Sequence, residues 1–282
     1  MKTKQDSATK RTAVVTGGTS GLGQAAAFAL AHSGHRVLVV GRNAERGAET
    51  VQGIRAEGGD AELVIGDLFT VAGAREVAAR IRALAPAIHL LVNNAGGAFR
   101  SDARTADGLE RTFALNVLAP FVLTELLLSA LEAGGGRVVN VVTAVPAGAK
   151  TTVEAIAGPK ARPGMQSYVR NKLALLTLTI ELQRRYGERG VSFASLHPGV
   201  IPGTRFGSDS PGLLMKIGPV IAKMLGITST LDEAAERFVA VGTGPVERGG
   251  FYYEGKLRDA PKQALDSSFA TSLRSTLEGL MG

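Results

Sequence analysis

The amino-acid sequence predicts an α/β fold, in which one doubly wound parallel β-sheet carries helices on both faces. Three observations support this prediction: short apolar runs recur along the chain, segments of helical periodicity separate them, and a glycine-rich turn follows the first run. Apolar runs without polar alternation are typical of strands that are buried on both faces of a parallel sheet. Strands that alternate with helices in this way form a doubly wound sheet.

The individual elements follow from β-branched content and periodicity. Strands are predicted at 12–16, 36–40, 62–65, 88–92, 137–142 and 191–196. Helices are predicted at 21–33, 44–57, 70–84, 107–132 and 166–188. A strand at 251–253 and a helix at 262–280 are expected to complete the sheet and cover one side of it.

The domain organisation is predicted to be simple. The chain has 282 residues and no linker that would divide it, so residues 11–282 are expected to form one domain behind a flexible N-terminal tail, 1–10. Two irregular stretches, 144–165 and 201–230, are expected to form the substrate loops. The first directly follows a predicted strand, and open α/β sheets bind ligands at the carboxyl ends of their strands.

Composition excludes several kinds of function. The sequence contains no cysteine, which rules out disulfides, thiolate metal sites and a cysteine nucleophile, and no metal site is expected. The formal net charge is +7, but the basic residues are scattered, which favours a phosphorylated ligand over nucleic acid.

The N-terminal segment is polar, and no stretch reaches the roughly 18 uncharged apolar residues of a membrane span, so a cytoplasmic protein without an integral membrane segment is expected. Three interpretations of the apolar patch 212–227 stay open: a lid over a lipophilic substrate, an amphipathic membrane contact, or a helix packed on the core.

A glycine-rich turn, TGGTSGLG at 16–23, joins the first predicted strand to the first predicted helix. Glycines let a pyrophosphate approach the backbone amides, and the helix N-terminus adds free N–H donors and a partial positive charge. The alternative is a tight turn without a ligand. The residues expected to contact a dinucleotide here are Gly17, Thr19, Ser20, Gly21, Leu22 and Gly23.

The tip of the second strand predicts which dinucleotide is bound. Sites for NAD place a carboxylate here, whereas this chain reads Gly41-Arg42-Asn43. Arg42 is able to pair with a 2′-phosphate through charge-assisted hydrogen bonds, and Lys10 and Arg11 are expected to add positive field. NADP(H) is therefore favoured over NAD(H), with Arg42 and Asn43 as contacts; the alternative is that Arg42 is a solvated loop charge.

Five motifs occur in order along most of the chain. They are TGxxxGxG at 16–23, Asn93-Asn94-Ala95-Gly96, Asn116, Tyr168-x-x-x-Lys172 and Pro198-Gly199. In this order and at these intervals they resemble the short-chain dehydrogenase/reductase family, which implies a single-domain Rossmann-type fold. The 25 positions between Thr143 and Tyr168, the HPG at 197–199 and the terminal pattern at 250–266 look like the retinol dehydrogenase and protochlorophyllide reductase branch.

The resemblance implies a catalytic set of Asn116, Thr143, Tyr168 and Lys172. Tyr168 exchanges a proton with the substrate oxygen, Lys172 binds the nicotinamide ribose, and Asn116 orders a water. Tyr168 and Lys172 are four apart and so share a helix face, where an ammonium is expected to lower the phenol pKa. Thr143 stands where the family usually has serine; it keeps the hydroxyl but adds a methyl group that restricts its rotamers.

The resemblance also implies further dinucleotide contacts. Asp67 meets the adenine ring or caps the next helix, and both roles are compatible. Thr204 lies one residue later than the family's nicotinamide-amide contact, and His197 is expected to be structural. The remaining implied contacts are Leu68, Asn94, Ala95, Gly96, Tyr168, Lys172, Pro198, Gly199 and Val200.

Hydride transfer between NADP(H) and the carbon of a carbonyl or secondary alcohol is the function that these residues predict, with a hydrophobic ketone or aldehyde as the small-molecule substrate. The main alternative is a non-catalytic NADP(H)-binding regulatory protein on the same fold, which only Thr143 favours. A nucleotide-sugar epimerase or dehydratase is disfavoured by the glycine spacing. Because members of the family often pair through their long helices, a homodimer or homotetramer is the expected assembly.

Overall fold

A computed structural model describes residues 10–201 and 228–282. These residues form one eight-stranded sheet in the order β3-β2-β1-β4-β5-β6-β7-β8, in which only the β7–β8 pair is antiparallel. The strands are β1 Thr12–Thr16, β2 Arg36–Gly41, β3 Asp60–Ile65, β4 Leu90–Asn93, β5 Arg137–Val141, β6 Ser192–His197, β7 Phe251–Tyr253 and β8 Lys256–Arg258. The predicted α/β fold with a doubly wound parallel sheet is confirmed.

Helices cover both faces of this sheet. The described helices are α1 Gly21–His32, α2 Ala44–Ala56, α3 Val71–Leu84, α4 Arg111–Phe113, α5 Ala119–Ala133, α6 Val153–Ala157, α7 Met165–Tyr186, α8 Leu231–Thr243 and α9 Ser267–Met281. One core cluster lies beneath α1, α2 and α8, and the other beneath α3, α5, α7 and α9. Strand β1 explains the apolar runs, because Val14 enters one cluster while Ala13 and Val15 enter the other.

Three predicted elements differ in detail. The helix predicted over 107–132 begins only at Arg111 and contains a π-helical turn, Ala114–Leu118. The stretch 144–165 is not loop throughout, because it contains the short helix α6. The helix predicted over 262–280 is divided into a 3₁₀ turn and α9, because the Asp266 side chain caps α9 by accepting hydrogen bonds from its first amides.

Several sequence predictions fall outside the described residues. These are the tail up to residue 9, most of the loop 201–230, the apolar patch 212–227 and the contact assigned to Thr204. The two ends of this gap lie together: Val200 and Thr228 form a parallel β-bridge, and the Ser229 amide donates to the Val200 carbonyl at 2.9 Å.

One helical stretch, Arg111–Ala133, is long and apolar enough to cross a membrane by length and composition. The stretch contains Glu125, so a search that requires an unbroken run of uncharged residues does not find it. In the fold, 78% of its most apolar window is buried against the sheet and its neighbours. A core helix of a globular domain has the same composition, so the stretch is weak evidence for a membrane span.

Candidate active site

The glycine-rich turn leaves the first amides of α1 accessible. Gly17 and Gly21 adopt φ angles of 65° and 52°, which glycine reaches at little cost. Ser20 precedes the helix, but its side chain makes no capping hydrogen bond. The orphan N–H groups of this helix end are therefore available to an anionic ligand.

Thr16 joins the glycine-rich turn to the segment that follows β4. Its hydroxyl accepts hydrogen bonds from the amides of Asn94 and Ala95, both at 3.0 Å, and donates to the Val92 carbonyl. The Asn94 side chain donates in return to the Thr16 carbonyl at 2.8 Å. A methyl group on Gly23 would collide with the Gly17 carbonyl and the Asn94 side chain, so the two segments form one close-packed unit.

The carboxyl end of β2 carries Arg42, whose side chain is 61% exposed. Its guanidinium lies 4.0 Å from an Asp67 carboxylate oxygen and 4.8 Å from the centre of the Phe69 ring. Arg111 lies over the Phe69 and Phe99 rings, at 5.0 and 4.5 Å. The structure thus surrounds the predicted adenine side with cations and aromatic rings, and sequence reasoning did not identify Phe69, Phe99 or Arg111.

Two residues near this edge have local structural roles. Asn43 caps α2, since its side chain accepts from the Arg46 amide at 2.8 Å. Thr70 caps α3, whereas Asp67 accepts only from the Phe69 amide, so the capping alternative for Asp67 is wrong. Leu68 is buried beside them.

Lys10 and Arg11 are not near this site, and that expectation is wrong. They precede β1, at the amino end of the sheet, and Lys10 lies 3.8 Å from the carboxylate of Asp60, the first residue of β3. Parallel strands present all their amino ends at one edge and their carboxyl ends at the other. The two cations therefore lie a full strand length from the Arg42 end.

Tyr168 and Lys172 occupy the first turns of α7 and are almost completely buried, at 6% and 3% exposure. The Tyr168 hydroxyl is hydrogen-bonded to the side chain of Thr143, at the end of β5. The Lys172 ammonium donates to the Val141 carbonyl at 2.7 Å and lies 5.6 Å from the centre of the Tyr168 ring. Three of the four predicted catalytic side chains therefore meet at the carboxyl end of β5.

Burial dominates the ionisation of this pair. It lowers the pKa of Lys172 to about 7 and raises the pKa of Tyr168, which its hydrogen bond to Thr143 only partly opposes. The sequence predicted a lowered tyrosine pKa, and within the protein alone the direction is the opposite. The reason is that both groups are buried, and burial penalises the charged phenolate as it penalises the charged ammonium.

Asn116 lies in the π-helical turn and is fully buried. Its amide nitrogen donates to the carbonyls of Gly97 and Thr112, at 2.9 and 2.8 Å, and its oxygen accepts from the Gly97 amide. A methyl group on Gly96 would lie 2.6 Å from the Asn116 oxygen and 3.2 Å from the Lys172 nitrogen. Both side chains therefore flank Gly96.

A buried polar network behind these residues was not anticipated. Asn93 donates to Asn140, Asn140 donates to the Thr179 hydroxyl, and Ser195 donates to the same hydroxyl, each at 2.9 Å. The four side chains come from β4, β5, α7 and β6, so only the assembled sheet brings them together. The network fixes the strand ends relative to α7, which carries Tyr168.

The segment after β6 is held by a residue that sequence reasoning missed. Arg237, in α8, donates to the Pro198 carbonyl at 2.5 Å and to the Ser229 hydroxyl at 2.6 Å. His197 is buried and packs edge-on against Tyr253, with ring centres 4.6 Å apart. Burial, and then the charge of Arg237, lower the pKa of His197 to about 4, so its imidazole is neutral near pH 7.

A groove lies on the surface of the first turns of α7, and Tyr168 is not among the residues that line it. It has a volume of about 460 Å³ and lies between the loop after β5 and the first turns of α7. Apolar side chains alternate with two cations along it: Pro146, Ala149, Lys150, Met165, Gln166, Val169 and Arg170.

A glycine-rich turn and a buried Tyr–Lys pair at one edge of a parallel sheet define a class of protein, the oxidoreductases built on a dinucleotide-binding sheet. The family model described as short chain dehydrogenase matches residues 11–211, and the chain belongs to that family.

Its relatives include proteins named polyprenol dehydrogenase and retinol dehydrogenase. Polyprenol dehydrogenase of Mus musculus is 40% identical over 68% of this chain and 60% of the relative, and that of Danio rerio is 30% identical over 96% and 87%. Retinol dehydrogenase 12 of Mus musculus is 34% identical over 67% and 60%. The chain thus aligns with less than two thirds of the two mouse proteins.

Solved structures share the fold. A short chain dehydrogenase from Burkholderia cenocepacia J2315, in complex with NADP, matches with a TM-score of 0.67 and 28% identity, over 86% of this chain and 95% of that one. A blue fluorescent protein from a metagenomic library, in complex with NADPH, matches with a TM-score of 0.66 and 28% identity, over 89% and 97%.

Proposed function

We propose that this protein is an NADP(H)-dependent oxidoreductase that reduces a hydrophobic ketone or aldehyde to the alcohol. The observation that carries the proposal is the meeting of Thr143, Tyr168 and Lys172 at the end of β5, beside the segment that Asn116 supports. The alternative of a non-catalytic NADP(H)-binding regulatory protein rests only on threonine in place of serine, and the Thr143 side chain still contacts Tyr168.

The residues present fit a dinucleotide. The uncapped amides at 21–23 would hold a pyrophosphate, Asp67 and Leu68 would contact the adenine, and residues 198–200 would contact the nicotinamide. When bound, NADPH would supply the hydride. Arg42 is exposed at the carboxyl end of β2, where it would pair with a 2′-phosphate. Two neighbours in the fold were solved with NADP or NADPH.

In this mechanism the protein holds the reacting oxygen and moves one proton. The Thr143 hydroxyl and the Tyr168 hydroxyl both bind the substrate carbonyl, which polarises it. Tyr168 donates its proton to that oxygen as the carbon is reduced; burial raises the pKa of the phenol, so the hydroxyl carries its proton near neutrality. Asn116 holds Gly97, and Lys172, which lies beside Gly96, would bind the nicotinamide ribose.

The hydrophobic substrate class is inferred from the names of the relatives and from the apolar groove between the loop after β5 and the first turns of α7. Pro146, Met165 and Val169 present apolar surface there, and the relatives are named for two apolar alcohols, polyprenol and retinol. The stretches 144–165 and 201–230 are the proposed substrate loops. The absence of cysteine agrees with a reducing compartment such as the cytoplasm.

The proposal is tested by NADPH oxidation with a panel of apolar ketones and aldehydes. Tyr168→Phe is expected to lower kcat by about 10²–10⁴-fold while NADPH affinity is retained, because only the transferred proton is removed. Tyr186→Phe is the matched control, since Tyr186 lies at the far end of α7 and bonds Glu125. NADPH binding without turnover of any carbonyl, unchanged by Tyr168→Phe, would support the regulatory alternative.

The choice of cofactor is tested separately with Arg42→Ala. NADPH affinity is expected to fall about tenfold or more, and NADH affinity to stay unchanged, because only the 2′-phosphate loses a charge-assisted contact. Arg80→Ala on α3 removes the same charge at an exposed site and serves as the control. Equal losses for NADPH and NADH would show that Arg42 does not select the phosphate.

A further inference from the structure

The segment at 198–200 needs support from outside itself. Proline lacks an amide donor, and Gly199 adopts a φ of 109°, a conformation that L side chains rarely adopt. The Pro-Gly pair therefore has one backbone donor fewer with which to fix its conformation by hydrogen bonds. The proposed function places the nicotinamide end of the dinucleotide against this segment, so its shape matters for hydride transfer.

Arg237 supplies this support. One nitrogen of its guanidinium donates both to the Pro198 carbonyl at 2.5 Å and to the Ser229 hydroxyl at 2.6 Å. A methyl group on Gly199 would lie 2.7 Å from the same nitrogen, so the guanidinium packs directly against the glycine. Ser229 in turn donates its amide to the Val200 carbonyl at 2.9 Å. These charge-assisted contacts are short and strong.

The helix that carries Arg237 is itself firmly anchored. Thr230 and Glu233 form a reciprocal capping box at the start of α8, and Phe238 is fully buried one position after Arg237. Helix α8 packs along α1, whose amino end is the proposed pyrophosphate site. Arg237 thus joins α8, which packs on α1, to the segment 198–200.

We propose that Arg237 is a positioning residue, whose guanidinium holds residues 198–200 in the shape that places the nicotinamide ring against Tyr168. The proposal rests on the NADP(H) site of the proposed function. It predicts that Arg237 acts on the nicotinamide half of the cofactor and leaves the adenine half unaffected, because its contacts lie at the end of β6 and not at β2 or β3.

The test compares two ligands in one protein. NADPH carries the nicotinamide, and 2′-phosphoadenosine diphosphoribose is the same molecule without it. For Arg237→Gln we expect NADPH affinity to fall several-fold and kcat to fall about 10- to 100-fold, since misplaced reacting groups cost rate steeply. The affinity of the fragment is expected to match that of the wild type. Arg237→Lys is expected to restore part of kcat, because the cation and a donor are retained.

Two further variants complete the design. Arg248→Gln removes an exposed arginine elsewhere and is expected to behave as the wild type. Ser229→Ala removes one partner of Arg237, and we expect it to lower kcat less than Arg237→Gln does. If Arg237→Gln does not fold, the Ser229→Ala variant tests the positioning role. Equal weakening of NADPH and of the fragment, or no change beyond the Arg248→Gln control, would overturn the positioning role. Failure of the wild type to bind NADPH would overturn the proposed function instead.

Discussion

Thr143 is the residue at which this chain departs from the family pattern, and its contact with Tyr168 makes the departure testable. Thr143→Ser is expected to keep kcat/KM within a few-fold, because the hydroxyl is retained. Thr143→Val has the same shape without the hydroxyl and is expected to lose about 10²-fold, as when one oxyanion donor is removed. Full activity of the valine variant in steady-state assays would place Thr143 outside the reacting centre.

Lys172 affects the stability of the fold as well as the chemistry. Its pKa is lowered from the ordinary 10.5 to about 7, so between these values the unfolded chain binds more protons than the native one. Stability therefore rises with pH through this window, and below pH 7 the full cost of burying the ammonium is present. The slope is at most about 1.4 kcal/mol per pH unit.

Lys172→Met is expected to remove this pH dependence. Urea unfolding at pH 7 and at pH 9.5 measures the free energy of unfolding of both proteins, and the difference between them isolates Lys172 from other groups. The variant is expected to gain stability mainly at the lower pH, while its oxidoreductase activity is lost. If the free energies of unfolding of the wild type and of Lys172→Met changed equally with pH, the lowered pKa assigned to Lys172 would be wrong.

At the scale of elements, the strand ends are held to α7 by the hydroxyl of Thr179. Thr179→Val leaves the donors of Asn140 and Ser195 buried without their acceptor, which costs about 1–3 kcal/mol per unsatisfied group. Thr177→Val is the matched control, since Thr177 is equally buried in the same helix but bonds only the Leu173 carbonyl. Equal losses for both variants in denaturant unfolding would show that the network adds nothing.

Most strands of the sheet could be predicted from the sequence, because a strand that is buried on both faces appears in the sequence as a short apolar run. The glycine-rich turn and the Tyr168–Lys172 spacing are local signals too. The role of Arg237 could not be predicted, because it contacts Pro198 from 39 positions away. The Asn93–Asn140–Thr179–Ser195 network is non-local in the same sense. Helix α6 has only five residues, too few for a periodic pattern.

At the scale of the whole molecule, α9 covers the long helices through which the family often pairs. It packs on α7, where Arg274 lies 3.6 Å from Glu181 and where Leu273 and Leu277 are fully buried. Near the other end, Arg75 of α3 donates to the Met281 carbonyl. Among the described residues, α9 therefore occupies part of the α7 surface on which a second copy of the chain would pack.

We expect this chain not to dimerise through α5 and α7. Sedimentation analysis is expected to show the 29.2 kDa monomer, or an assembly whose cross-links avoid these helices. Because α5 has no lysine and the one lysine of α7 is buried, the contact is mapped by oxidative cross-linking of the variant Arg184→Cys, which places a single exposed cysteine on α7 of a chain that otherwise has none. A dimer with α7-to-α7 cross-links would mean that α9 leaves its place on assembly, contrary to this expectation.

The bridge between Val200 and Thr228 has a practical consequence for altering this protein. Paired residues on adjacent strands lie about 4.8 Å apart whatever the length of chain that joins them. Arg237 and Ser229 anchor both sides of this bridge, which makes Val200 and Thr228 suitable junctions for a chimaera. The residues between them are replaced by the corresponding segment of another member of the family. Since 201–230 is a proposed substrate loop, we expect such an exchange to change the substrate range while cofactor binding is retained.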